Sequence, residues 1–521
     1  QVPGIDYTEK FSPLATDTTT RLLIALTLWN QDKQWVCESI DIEAAFLEGS
    51  IEEPTFMEFP PGAVKLGYIT EQDKKSKCIQ LKKSIYGNVN ASLCFYRTYS
   101  EHLIKELLMK RSQTDACVFY KHNDQGDLLL ATFCHVDDTQ IVGSREEIDK
   151  FKEGVKKQFG IKEMGCMIKH LGIKYNWTQE NGEPIVEATM SDLIQEIIKI
   201  TEDHVGKTVK KKNLPAPQGL VLEKGTGGVM KDESMYKTVV GKIMYLVNKI
   251  MIEGINAARE LTKFFGCPEE SHWRAVIHFV GYLKNEGSNV KLTYRKPKEL
   301  RYIAMVDASF GTCPESRKSI TGAIHTIGGC IINWSSKSQR RSALSLTESE
   351  YYAISSAAQE LLFVNHLLGE FGCKVKQGFI FNDNTGAIQL VKNRQVSPRT
   401  KHIDICHHFV RDLWEEKDME IKYVNTEMNE ADLCTKNVAK PIHTTHRENI
   451  RAGSLNVWKQ YEIAVQVAQR EDVETDTRVQ SVQATEPADE EGFILVTYAK
   501  NKVMKSKDKV STFDKKHKVN L

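Results

Sequence analysis

Seven carboxylates, in two sets, carry the chemistry this sequence could do. In LLLATFCHVDDTQIV (Leu128–Val142) two apolar runs meet at Asp137 and Asp138. Apolar runs of this length, free of Gly and Pro, suit strands covered on both faces, which puts the two acids at a hairpin turn. Like charges crowded at one turn repel unless water or a cation neutralises them. An isolated Asp pair is more often a solvated turn, but a third acid changes the balance. Asp41, in SIDIEAAFLEG (Ser39–Gly49), closes the strand-like segment Trp35–Ile42. With that strand beside the hairpin, Asp41 faces Asp137, and the group could hold two hard divalent cations about 3.5 to 4 Å apart, as phosphoryl-transfer sites do.

The second set lies towards the rear. RYIAMVDAS (Arg301–Ser309) reads as a strand that delivers Asp307 to its end, and three acids follow in order: Glu350 in SLTESEYYAI, Asp383 in FIFNDNTGAI and Asp432 in NEADLCTK. Each stands where an element begins or ends, so packing could converge them on one four-carboxylate site. Each also has a structural role open to it. Thr347 to Glu350 fits a capping box, T-x-x-E, opening a long amphipathic helix to about Gly369. Asp383 could cap the helix that follows, and Asp432 could sit in a first turn, where the helix dipole favours negative charge.

The elements that must position these acids follow from apolar spacing. A helix is expected from about Thr18, with Leu22, Leu23, Ala25 and Leu26, and another from Glu146 to Phe159, with Ile148, Phe151 and Val155. Leu171 to Trp177 alternates as a strand. Pro215, Pro217 and the cluster Gly225 to Gly228 read as a linker, and GTGG there lacks the Lys-Ser/Thr of a phosphate-cradling loop. From about Glu471 the chain turns acidic and polar, then basic from Lys500 to Lys518. That composition buries too little to offset chain entropy, so disorder is expected.

With 521 residues, 41% hydrophobic and 27% charged, the chain has material for two or three cores. No apolar run approaches the roughly 20 residues of a membrane helix and no secretory signal opens the sequence, so no membrane partner is expected. A net charge of +1 supplies no overall attraction for nucleic acid, which leaves local patches such as Lys82-Lys83, Lys207 to Lys212 and Arg340-Arg341. Twelve cysteines without one CxxC pair argue against a zinc ribbon and fit a reducing compartment. His402, Cys406, His407 and His408 cluster, but read as a helix start and not a metal site.

Taken in order, the front motifs resemble the reverse transcriptases of copia-type LTR retrotransposons, where an Asp-containing strand ending in A-F-L is followed by Y-V-D-D. The opening QVPGIDYTEKFSP, FMEFPPG (Phe56–Gly62) and LKKSIYG (Leu81–Gly87) are similar to segments of that family. YKTVVGKIMYL (Tyr236–Leu246) and His272-Trp273 look like its thumb and connection. Acids in the order D-E-D-D resemble ribonuclease H, and ESRKSITG, INWSSKSQ, LTESEYYA, TKHIDI and YVNTEMNEADLCTK look like the copia-type version. In that family the catalytic Glu is the second acid of T-E-A-E-Y, directly before the aromatic residue, which implies Glu350 over Glu348.

The resemblance implies an α+β fold: a polymerase palm with partial fingers (1–180), a thumb or connection (181–297), an α/β ribonuclease H-like domain (298–445) and a mostly disordered tail (446–521). The strands and helices of 298–445 are expected to close their own core. The implied activity is that of a Pol polyprotein segment that makes DNA on RNA and DNA templates and cuts RNA in RNA–DNA hybrids. Its partners would be the RNA template, DNA primer, RNA–DNA hybrid, dNTPs and other parts of the polyprotein, in cytoplasmic virus-like particles with access to the nucleus. Asp41 and Asp137 would bridge Mg²⁺ or Mn²⁺ ions with Asp138 in support, and Asp307, Glu350, Asp383 and Asp432 would hold a second set. Phe46 falls where the family sets an aromatic ring against the sugar of the incoming nucleotide, and His135 replaces a Tyr that abuts the primer end. In relatives, a strand whose basic residues grip the triphosphate precedes the opening segment; the sequence given starts after it. Two rival readings stay open. One is a decayed or repurposed nucleic-acid-binding protein, and the other a ribonuclease H-type nuclease whose front half is only a hybrid-binding scaffold.

Overall fold

The computed structural model describes residues 9–225, 227–392 and 404–463. Its front part runs α1 (Asp17–Trp29), β1 (Trp35–Ile42), α2 (Ala45–Glu48), β2 (Ser50–Met57), α3 (Glu71–Ser76), β3 (Ile79–Lys83) and α4 (Ala91–Lys105). It continues through β4 (Lys110–Arg111), β5 (Val118–His122), β6 (Leu128–His135), β7 (Asp138–Ser144), α5 (Arg145–Lys156) and β8 (Ile161–Cys166). Six of these strands form one sheet in the order β4-β5-β6-β7-β1-β8, while β2 and β3 pair separately. The apolar runs on either side of Asp137 become the sheet's middle, with β7 antiparallel to both β6 and β1. Ile40, Leu130 and Ile141 are buried in one core with Phe95 and Tyr99 of α4 and Ile148 and Phe151 of α5. Each such side chain contributes roughly 1.5–3 kcal/mol on burial.

The middle part runs β9 (Lys169–His170), β10 (Ile173–Glu180), β11 (Glu183–Thr189), α6 (Ser191–Val205), α7 (Glu233–Lys249), α8 (Ile255–Thr262), α9 (Glu270–Glu286) and β12 (Lys291–Arg295). Its four strands form a sheet in the order β12-β11-β10-β9, so residue 180 falls at a tight turn inside one sheet. The glycine-rich loop ahead of α7 does cradle an anion, but one of the chain's own. The Gly225 and Gly227 N–H groups donate to the Glu269 carboxylate at 2.7 and 2.9 Å.

The rear part runs β13 (Tyr302–Ser309), β14 (Ile320–Ile327), β15 (Cys330–Ser338), α10 (Leu346–Glu370), β16 (Gly378–Asn382), α11 (Thr385–Lys392), α12 (Asp404–Glu415), β17 (Met419–Tyr423), α13 (Asp432–Thr435) and α14 (Lys440–Arg451). The strands lie in the order β15-β14-β13-β16-β17; the first three form an antiparallel meander, and β16 and β17 join in parallel. Helix α10 is the crossover between the two kinds of pairing and packs against β13 and β14, burying Tyr351, Ile354, Ala358 and Leu361.

The rear sheet also makes contacts outside its own span. Its edge strand β15 packs on α1 of the front part. The Arg21 guanidinium lies 3.8 Å from the centroid of the Trp334 ring and donates to the Asn248 carbonyl of α7 at 2.7 Å. Trp334 Nε1 donates in turn to the Val247 carbonyl at 2.9 Å. An arginine can be buried here because its planar guanidinium stacks on an aromatic face while its N–H groups find acceptors. The expected tail also begins later than 446. Helix α14 runs through to Arg451, a helical segment follows at 456–463, and Leu455, Val457 and Tyr461 are buried. Residues 464–521, where disorder is expected, lie outside the described residues. No helix among the described residues is long and apolar enough to cross a membrane.

Candidate active sites

Topology brings the four rear acids to one end of one sheet. Asp307 stands near the end of β13 where the chain crosses to β14, and α10 begins at that same end with Glu350 in its second turn. Strand β16 runs parallel to β13 and delivers Asp383 just beyond its end, while α13 opens on Asp432. Carboxylate oxygens of Asp307, Asp383 and Asp432 all lie within 4.8 Å of one another, the one such group of three among the described residues. Asp307 is 1% exposed, and its carboxylate accepts from Thr435 Oγ1 and, at 3.2 Å, from Lys436 Nζ. Lys436 also reaches Asp432 Oδ1 at 3.0 Å, and Thr426 Oγ1 donates to Asp383 at 2.7 Å. Glu350 stands beside the three and accepts from Asn382 Nδ2 at 2.8 Å.

Crowding of like charges shows in the protonation of this cluster. Burial first, and then the charge of Asp307, push Glu350 up to about 8 and Asp432 up to about 7, the latter in spite of Lys436. Hard oxygen donors this close together, with more negative charge than the protein neutralises, fit a divalent cation.

The structural roles open to Glu350 and Asp383 fall instead to their neighbours. Helix α10 is capped by Ser345, whose side chain accepts the Glu348 N–H at 3.1 Å while the Glu348 carboxylate takes the Leu344 N–H at 2.6 Å. The box expected at Thr347 to Glu350 thus sits two residues too far along, and Glu350 is released from capping. Asn384, not Asp383, caps α11 by accepting the Ala387 N–H at 2.9 Å. Asp432 does occupy a first turn, at the opening position of α13. Sequence reasoning missed Asn382, Thr435 and Lys436. The i, i+4 spacing of Asp432 and Lys436 was the available signal; Asn382 and Thr435 gave none.

In the front sheet, β6 and β7 meet in a two-residue turn, Val136-Asp137, with His135 paired to Asp138. Asp41 stands opposite Asp138 in the β1–β7 register, and not opposite Asp137, which lies in the turn; its neighbour Ile42 donates its N–H to the Asp137 carbonyl at 3.0 Å. Val136 has φ +57°, a left-handed conformation that a β-branched residue adopts only under strain. Burial first, then the charges of Asp137 and Asp41, raise the pKa of Asp138, so the three acids sense one another. They do not gather as tightly as the rear triad. Phe46 lies on α2, half-buried against the front core and edge-on to the exposed Tyr86, with ring centroids 5.1 Å apart. Of the basic patches, Lys83 is paired with Glu48 at 2.6 Å. His402 lies outside the described residues, and Cys406, His407 and His408 fall in α12.

A sheet with acids at a central hairpin, followed by a mixed five-stranded sheet with four converging acids, is the α+β arrangement expected of a polymerase palm and a ribonuclease H-like domain. Residues 1–210 match the family model described as reverse transcriptase (RNA-dependent DNA polymerase), and most of the chain is similar to retrovirus-related Pol polyproteins of copia-type transposons. It is 29% identical over 447 residues to the retrovirus-related Pol polyprotein from transposon TNT 1-94 of Nicotiana tabacum, an alignment covering 84% of this chain and 32% of that protein. It is 27% identical over 442 residues to that from transposon RE2 of Arabidopsis thaliana, covering 84% and 29%. The chain therefore spans about a third of the length of these relatives. Among solved structures, the foamy viral protease-reverse transcriptase in complex with dsDNA aligns at 12% identity with a TM-score of 0.38, over 75% of this chain and 67% of that one. LC11-RNase H1, isolated from compost, aligns at 14% identity with a TM-score of 0.22, over 26% and 93%.

Proposed function

We propose that the chain is the DNA-synthesising and hybrid-cutting segment of a Pol polyprotein. DNA synthesis on RNA and DNA templates would use Asp41, Asp137 and Asp138, and RNA cleavage in RNA–DNA hybrids would use Asp307, Glu350, Asp383 and Asp432. The observation that carries this reading is the convergence of the four rear acids at one end of one sheet, beside a basic surface. Exposed Arg317, Arg340 and Arg341 stand on the two loops at that end, which are tied together by the Gln339 N–H on the Ser319 carbonyl at 2.8 Å. Guanidinium groups there suit the phosphates that flank a scissile bond.

Mg²⁺ or Mn²⁺ held by either set of acids would supply positive charge to the reacting phosphate and the attacking oxygen. The chain's own contribution is to fix those acids: Asn382 orients Glu350, Thr435 orients Asp307 and Thr426 orients Asp383. In front, the tight turn presents Asp137 and Asp138 next to Asp41. Phe46 would pack on the sugar of the incoming dNTP and disfavour a ribose 2′-OH by bulk, with His135 beside the primer end. The natural partners are then RNA template, DNA primer and RNA–DNA hybrid, encountered in cytoplasmic virus-like particles.

A second reading, a nuclease with a silent front half, is favoured by the looser grouping of Asp41, Asp137 and Asp138. Primer extension on RNA and DNA templates, run beside cleavage of a labelled RNA–DNA hybrid with Mg²⁺ or EDTA, separates the readings. Two metal-dependent activities support the proposal, cleavage alone supports the nuclease, and neither leaves a nucleic-acid-binding protein.

A further inference from the structure

Lys436 enters the rear acid cluster from its solvent side. The chain leaves α13 at this residue in an extended conformation, φ −133° and ψ 151°. Its ammonium lies 3.0 Å from Asp432 Oδ1 and 3.2 Å from Asp307 Oδ2, bridging two acids of the triad. The side chain is 39% exposed, whereas the Asp307 side chain is 1% exposed. The other two acids have neutral partners, the Thr426 hydroxyl on Asp383 and the Asn382 amide on Glu350. The cluster thus has unequal halves: the Asp307–Asp432 side already contains a positive charge between two carboxylates, and the Asp383–Glu350 side has uncharged donors.

We propose that Lys436 is a displaceable counter-ion, which holds Asp307 and Asp432 together when no divalent cation is bound and competes with one for the Asp432 side. The proposal rests on the nuclease reading of the cluster. An ammonium and a divalent cation cannot share the same pair of carboxylates without strong repulsion. A first ion therefore enters on the Asp383–Glu350 side, and an ion on the Asp432 side must push Lys436 out on its flexible stem. A bound duplex makes this easier, because its phosphates give the displaced ammonium a new partner. Lys436 is on this account a positioning residue that sets the order of cation binding and ties the second ion to the presence of nucleic acid.

The test is a Mn²⁺ titration of the full chain without nucleic acid, followed through the electron paramagnetic resonance signal of free Mn²⁺. With the front acids removed from the titration by Asp137→Asn in every protein compared, the rear cluster should show one tighter and one weaker class of site, and Lys436→Met should tighten the weaker class about tenfold. The melting temperature of Lys436→Met in EDTA should fall and be restored by Mn²⁺. Lys436→Gln, which can still hydrogen-bond both carboxylates but carries no charge, should show the same tightening with less effect on the fold. In an Asp432→Asn background either change should leave Mn²⁺ affinity unaltered, because the competition has lost its object. Unchanged or weaker Mn²⁺ binding by folded Lys436→Met and Lys436→Gln overturns the proposal. If the wild type cuts hybrid and binds Mn²⁺ while these variants titrate like it, the counter-ion role alone fails. If the wild type neither binds Mn²⁺ nor cuts hybrid, the nuclease reading falls with it.

Discussion

Replacing Glu350 by Gln should make the metal-free protein more stable and abolish its hybrid cleavage. Burial first, then the charges of Asp307 and Asp383, hold this carboxyl at about 8 against an ordinary 4.5. An acid whose pKa is raised by folding costs nothing below its unfolded value and costs progressively more as pH rises from that value towards the folded one, because over that range the unfolded chain ionises and the folded one does not. At about 1.4 kcal/mol per pH unit, the cost accumulated between 4.5 and 7 is at most roughly 3 kcal/mol. Gln keeps the shape and, through its amide oxygen, the hydrogen bond from Asn382, without the charge. Melting temperatures in EDTA should therefore favour Glu350→Gln at pH 7 and converge with wild type near pH 4.5. Mg²⁺-dependent cleavage of a labelled hybrid should be lost with the anionic ligand. Glu348→Gln is the control, since Glu348 serves the Leu344 N–H and the Tyr352 hydroxyl. It should cost about 1 kcal/mol through a weakened cap and leave cleavage intact. A Glu350→Gln protein that melts below wild type at pH 7, or that cuts at the wild-type rate, would refute this reasoning and leave the site resting on three aspartates.

Asp137→Asn should abolish primer extension and spare hybrid cleavage, since it takes a charge from one site only; extension near the wild-type rate counts against the front assignment. His325, His443 and His446 are held by burial at about 4, below their ordinary 6.5, so stability is intact above about 6.5 and is lost as pH falls towards 4. The urea midpoint should fall across that window, opposite in direction to the Glu350 effect. His446→Leu should flatten part of the profile, and a flat wild-type profile would contradict it. Arg21→Ala should destabilise by about 2–4 kcal/mol, through the lost stacking on Trp334 and the carbonyls left without donors, and Arg21→Lys should not rescue it. Residues 298–463 expressed alone should expose the β15 face and aggregate; a soluble fragment with a cooperative melt would show that α1 is dispensable.

The strands that carry the front acids are legible almost to the residue. The segment expected at Trp35–Ile42 is β1, and the two runs around Asp137 are β6 and β7, because apolar runs and turn residues are local properties. The body of α10 is equally legible, but its cap is not: Ser345–Glu348 and Thr347–Glu350 satisfy the same S/T-x-x-E rule, and the choice depends on where the loop after β15 delivers the chain. The order of the four rear acids is visible in sequence, whereas their convergence follows only from the topology of β13 and β16 or from resemblance to a family. The burial of Arg21 has no local signal, since nothing within α1 announces Trp334 more than 300 residues later. The glycine-rich loop at Gly225 likewise cannot reveal from its own residues that Glu269 is its anion.

Helix α1 is a wall shared by two rooms. It touches β1 and β7 of the front sheet and β15 of the rear one, and its 13 residues make a rod about 20 Å long. Through it the two sheets are joined by packed side chains and not by a tether. Lengthening a loop elsewhere would leave that junction untouched, whereas repacking α1 would shift the two sheets against each other, so the helix acts as a hinge pin fixed in place.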